Sequence, residues 1–168
     1  MGYIVEQAGV RARKDAALLP VRAALGSSMI FHGLGKLRGA GPQQTGEHFE
    51  KMGLQPGKQL AVAAGAAEAF AGVATSLGLF VRPAALAVLV TQGVAIWKVH
   101  AKNGFDITKG GFEYNLTLMA IAAGLFLAGP GLFSAHEGIE RLAEGRGARR
   151  WFRRAQPNAL LRFLKLLK

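Results

Sequence analysis

Four long apolar runs, near residues 16–37, 59–80, 84–99 and 114–133, leave this chain few ways to fold. They are about 16 to 22 residues long, close to the ~20 that cross ~30 Å of hydrocarbon as a helix. The third is short and needs its flanks to span. A helix of a soluble bundle shows a polar residue at every third or fourth position. The stretch AALAVLVTQGVAIW offers only Thr91 and Gln92, and LTLMAIAAGLFLAGPGLF offers only Thr117. The pattern predicts an all-α fold: a four-helix transmembrane bundle.

The kind of apolar residue supports this. Hydrophobic residues make up 51% of the chain but aromatics only 8%, and there are 23 glycines among 168 residues. Small residues let helices in lipid approach closely. No cysteine is present, which excludes disulfides, thiolate metal sites and thiol redox chemistry.

Turn residues divide the runs. Arg82-Pro83 marks a tight hairpin between the second and third helices, because proline suits a first helical turn. Residues 38–58 and 100–113 read as longer loops, and Gly129-Pro130-Gly131 ends or kinks the fourth helix. Three regions result: a basic N-terminal tail (1–15), the four-helix domain (16–140) and a basic amphipathic tail (141–168). In that tail, NALLRFLKLLK puts Arg162, Lys165 and Lys168 at every third position among leucines. This predicts a C-terminal amphipathic interfacial helix, with Asn158 as its N-cap and membrane lipids as its partner.

The net charge of +11 raises the question of nucleic acid, but no soluble basic face with reading residues is present, and no nucleic-acid partner is expected. The basic residues instead set an orientation. Fourteen Lys and Arg fall on the side of the termini and the Arg82 hairpin, and seven on the side of the two long loops. By the positive-inside rule this predicts a multi-pass protein of the bacterial inner (cytoplasmic) membrane with both termini cytoplasmic. Arg22 inside the first run argues against a cleaved signal peptide. Arg22 and Lys36 read most simply as side chains that snorkel to the two headgroup layers.

Glu68 cannot be explained by snorkelling. It lies about nine residues into the second helix, ~13 Å below the surface, where a carboxylate is costly. Its own face is Ala64, Gly65, Ala71 and Gly72, a packing face, so it should point into the bundle. His32 and Lys36 lie on one stripe of the first helix with Arg22, Leu25 and Met29, at steps of three and four. Gln92 lies at the depth of Glu68, while Asn115 and Thr117 are shallower. Lys36, Trp97, Lys98, His100, Glu113 and Tyr114 form a rim. Polar groups thus crowd one half of the bundle, which predicts a cavity there with His32, Lys36, Glu68, Gln92, Tyr114 and Asn115 as ligand-binding residues. The simpler alternative is that Glu68 is buried glue paired with His32 or Lys36.

Such groups exchange protons with an oxygen of a lipid-soluble ligand. A quinone head group, with two carbonyls and a need for protons, fits this chemistry. No metal site is expected, because no HxxxH or HxxE spacing exists. No nucleotide site is expected either, because neither GxGxxG nor a Walker motif is present. No catalytic residue can be assigned, since no Ser/His/Asp arrangement is visible.

Several ordered motifs together resemble the DoxX family. They are FHGLGKL at the end of the first helix, Phe49 and GLQP in the following loop, EAFAGVATSLGLFVRP from Glu68, and LAGPG near the end of the fourth helix. The resemblance runs over about residues 18–134, and His32, Gly33, Lys36, Glu68 and Arg82 are its family-like positions. It implies a small four-helix membrane protein with a redox-linked role, since the family takes its name from a subunit of a thiosulfate:quinone oxidoreductase. The expectation is a quinone-binding subunit of a membrane oxidoreductase assembly, with electrons supplied by a partner in a larger complex, or a homo-oligomer. The alternative is a non-catalytic assembly subunit whose polar set is structural.

Overall fold

The computed structural model describes residues 2–144, and these are helical with no strands. In chain order the helices are α1 (Gly2–Ala16), α2 (Leu18–Leu37), α3 (Gly41–Lys51), α4 (Gly57–Leu77), α5 (Val81–Ala95), α6 (Glu113–Ala128) and α7 (Ala135–Glu144). Three spans, Ala12–Leu37, Gly57–Leu77 and Val81–Asn103, are long and apolar enough to cross a membrane. The apolar α6, with 16 residues, is shorter and packs on α5 to complete a four-helix bundle. The predicted interfacial helix around Asn158, Arg162, Lys165 and Lys168 lies outside the described residues.

Helices α2 and α4 form the tightest pair because glycines meet between them. A Cβ placed on Gly33 would lie 2.4 Å from the backbone nitrogen of Ala69, and one on Gly72 would lie 2.6 Å from that of Ile30. Gly26 faces Gly72 and Gly33 faces Gly65, one pair two turns from the other. Close backbone approach replaces the hydrophobic drive that helices lack in lipid. The remaining core is aliphatic, with Leu25, Met29, Val81, Val88, Leu118 and Leu125 buried.

The hairpin between α4 and α5 forms as its residues dictate. Gly78 adopts φ 68°, while the amides of Leu79 and Gly78 donate back to Ala74 and Thr75. This Schellman closure needs the left-handed residue that glycine supplies. Pro83 then sits in the first turn of α5, where its missing N–H costs nothing.

Arg22 does not snorkel. It is 3% exposed, and its guanidinium donates to four carbonyls: Thr75, Ser76, Pro130 and Phe133 at 2.9–3.0 Å. The end of α4 and the turn after α6 leave carbonyls without helical partners in apolar surroundings. A planar group with five donors meets that need better than water can reach it. Arg82 plays the same part for α6, donating to the Phe126 carbonyl at 3.2 Å.

Four expected boundaries move. Residues 2–15 are helical: α1 runs into α2, and only Ala17 separates them, because Pro20 has no N–H for the Ala16 carbonyl. Residues 38–58 are not simply a loop, because α3 lies within them, started by Gly41-Pro42 and ended at Gly53 with φ 77°. The third span is longer than expected, since α5 continues through a π-helical turn, Ile96–His100, and a 3₁₀ turn to Asn103. The fourth helix is shorter, stopping at Ala128, where Gly129 turns to φ 75° ahead of Pro130.

Candidate functional site

The end of the bundle opposite the hairpin carries the polar groups. His32 and Lys36 come from one face of α2, because they are one turn apart. Glu68 reaches them from α4 because the Gly33–Gly65 contact draws the two backbones together. Lys36 Nζ donates to Glu68 Oε2 at 2.6 Å and more weakly to the His32 carbonyl at 3.4 Å. Glu68 is 5% exposed, so the carboxylate end of this ion pair lies inside the protein.

A second polar pair lies across from it. Asn115 Nδ2 on α6 donates to Gln92 Oε1 on α5 at 2.8 Å, both residues being buried. The Gln92 amide nitrogen has only the Met29 sulfur at 3.9 Å. Tyr114 shares a hydrogen bond with Ser28, and its ring lies 5.9 Å from that of His32. The structure thus brings His32, Lys36, Glu68, Gln92, Tyr114 and Asn115 onto one cavity of about 640 Å³.

Apolar walls surround these groups. Leu60, Ala63, Ala64 and Ala67 line the cavity from α4, and Val90, Val94 and Ala95 from α5. Thr45, His48 and Phe49 of α3 cover its open end, where Lys98 and His100 also stand. A cavity of this size, mostly apolar with a few convergent polar groups, has the form of a small-molecule site. The π-helical turn at Ile96–His100 brings Lys98 and His100 to the cavity edge; such turns recur at functional sites.

The turn structure beside the cavity holds itself together. His100 Nδ1 lies 2.7 Å from the Gly110 carbonyl, which also accepts from Asn103. Asp106 accepts from the Thr108 amide at 2.9 Å and its hydroxyl at 2.7 Å. These bonds favour the ionised carboxylate, the hydroxyl most strongly, and hold the Asp106 carboxyl below its ordinary pKa.

Not every expected polar residue joins the set. Thr117 is exposed and bonds back to the Glu113 carbonyl of its own helix. Trp97 is 70% exposed, with the Lys98 ammonium 3.9 Å from its ring centre. Thr45, His48 and Phe49 were missed as cavity residues because their segment read as a loop. Their spacing of three and four, continued by Met52, was the available helical signal. Among the described residues, no group of three or more His, Asp or Glu could hold a metal ion.

No curated protein and no solved structure matches the chain. The DoxX family model matches residues 17–101, just over half of the chain. It covers α2 to α5 with the π-helical turn and stops short of α6, so LAGPG, part of the expected resemblance, lies beyond it. His32, Gly33, Lys36, Glu68 and Arg82 all fall inside the matched range, and by this match the chain is a membrane protein of the DoxX family.

Proposed function

We propose that this protein is an inner-membrane subunit that binds a quinone, or a lipid-soluble ligand of similar head group, for a membrane oxidoreductase assembly. The observation that carries the reading is the convergence of two polar pairs, Lys36–Glu68 and Asn115–Gln92, on one apolar cavity. A quinone carries two electrons and two protons between its oxidised and reduced forms. Residues of this chain match what its two carbonyls need. The Lys36 ammonium has three donors, of which the Glu68 carboxylate and the His32 carbonyl take two. The Gln92 amide, held by Asn115, offers a donor on the other side. His32 and Tyr114 are the groups that pass protons between the cavity and the outside. A partner protein in the assembly supplies the electrons. The excess of Lys and Arg at the hairpin end supports cytoplasmic termini, with the cavity in the outer half of the membrane.

One observation favours the other reading, a structural subunit: Lys36 and Glu68 already satisfy each other. The test is lipid extraction and mass spectrometry of the purified protein, with its copurifying proteins identified. A bound quinone that is lost in Glu68→Gln and in His32→Ala, both folding normally, is the expected result. Normal quinone content in the double variant would leave the structural subunit as the function.

A further inference from the structure

The cavity is not closed on the side of α4 and α5. Leu60, Val90 and Val94 line it, yet are 36%, 65% and 43% exposed. Ala63 also lines it and is exposed. His48, Ile107 and Tyr114 line it from other elements and are exposed as well, while Glu68, Gln92 and Asn115 are buried.

The opening lies at hydrocarbon depth. The two helices leave one hairpin, so equal residue counts from it give equal heights. Ala67 is ten residues before Leu77 and Thr91 ten after Val81, which is ~15 Å at the helical rise. By the same rule Ala64 stands opposite Val94 and Ala95 at ~20 Å, and Leu60 opposite Lys98 at ~26 Å. All of these line the cavity. On α4 the residues at the two inner levels are alanines, too short to close the gap. The gap therefore runs from mid-membrane to near the surface of a ~30 Å hydrocarbon layer.

Hydrocarbon chains surround the protein at these depths, and the walls of the gap are mostly aliphatic. The covered end offers His48, Lys98 and His100 instead, groups that suit a head and not a chain. We propose that the gap between α4 and α5 is a lateral portal that holds the hydrocarbon chain of an amphiphile, whose polar head lies among Lys36, Glu68, Gln92 and Asn115. The ligand is thus a chain-bearing molecule that enters from the lipid. The identity of its head rests on the function proposed above; the portal does not.

The experiment uses the full chain in lipid nanodiscs with two kinds of probe. The first is a long-chain alcohol with one diazirine beside its hydroxyl and another in mid-chain, and no quinone. It should label Asn115, which is buried, as well as the exposed Phe70. Ala67→Phe should reduce Asn115 labelling at least about tenfold and leave Phe70 labelling unchanged. Ala63→Leu serves the same purpose if the larger residue prevents folding. The second probe is one quinone head with and without an isoprenoid tail. Ala67→Phe should weaken the tailed form about tenfold, a loss of ~1.4 kcal/mol, and the tail-less form clearly less.

No labelling of Asn115 in the native protein, or equal labelling in both variants, would overturn the portal even if quinones bind. Chain labelling with no binding of either quinone would overturn the quinone head and support the portal. A disulfide between two Val90→Cys copies with Asn115 unlabelled would assign the gap to a second copy and overturn it.

Discussion

Lys36 Nζ stands 2.6 Å from Glu68 Oε2, joining α2 to α4 through a carboxylate that is almost fully buried. Breaking a buried pair from one side leaves an uncompensated charge, at a cost of about 3–5 kcal/mol. The Lys36 side chain is 23% exposed, so water offsets part of that cost. Lys36→Met should lower stability by about 2–3 kcal/mol, and Lys36→Met with Glu68→Gln should recover at least half of the loss. Thermal unfolding of the four proteins in one detergent gives the coupling; additive losses would show that the pair contributes nothing as a pair.

Arg22 should be among the least replaceable residues of the chain. Arg22→Lys keeps the charge but cannot span four carbonyls with one planar fork. Each hydrogen bond to a charged group is worth roughly 1.5–3 kcal/mol, so even the lysine variant should lose about 3 kcal/mol. Chemical unfolding followed by helical circular dichroism checks this. A lysine variant as stable as the native protein would mean that water or lipid headgroups reach those carbonyls.

Glycine positions should separate by contact rather than by location in a helix. Gly33→Ala would bring a methyl to 2.4 Å from the Ala69 backbone and force α2 from α4. Gly124 on α6 has nothing within 4 Å of an added Cβ, so Gly124→Ala should be neutral or slightly stabilising. Overpacking costs typically about 1–3 kcal/mol. Thermal midpoints of the two variants in the same detergent should therefore move in different directions, or by clearly different amounts.

Asp106 gives a pH dependence of known sign. Its folded carboxyl titrates below its ordinary value, so what it contributes is complete above the usual carboxylate range. That contribution is lost as pH falls through the lowered folded value, and nothing changes near neutrality. The Thr108 amide resonance should shift on acidification with a midpoint below that of a free aspartate. Asp106→Asn should abolish the shift.

The absence of cysteine makes topology simple to read. A single Gln43→Cys, on the exposed side of α3, should react with an impermeant maleimide added outside intact cells. Reaction only after the membrane is opened would reverse the orientation and put the cavity in the inner half of the membrane.

Much of this protein could be read from one dimension. An apolar run in lipid must satisfy its own backbone, so length and polarity alone dictate helices. The same logic reached the cavity residues: a carboxylate at depth must face inward, and a helical period puts His32 and Lys36 on one side. What depended on contacts between distant residues was out of reach. Arg22 read as a snorkelling side chain because its four carbonyl partners are 53 to 111 residues away. α3 read as a loop because it is too short and polar to announce itself, and it is held in place where Gly46 meets Gly57. Glu68 could equally have paired with His32 or Lys36 until the Gly33–Gly65 contact fixed the register of α2 on α4. The sequence alone determined which segments are apolar enough to enter a membrane and which polar groups cannot face lipid, because those are costs borne by each segment separately. Only the tertiary structure decided which groups pair and where the walls stay open, because both depend on how closely, and at what heights, separate helices approach.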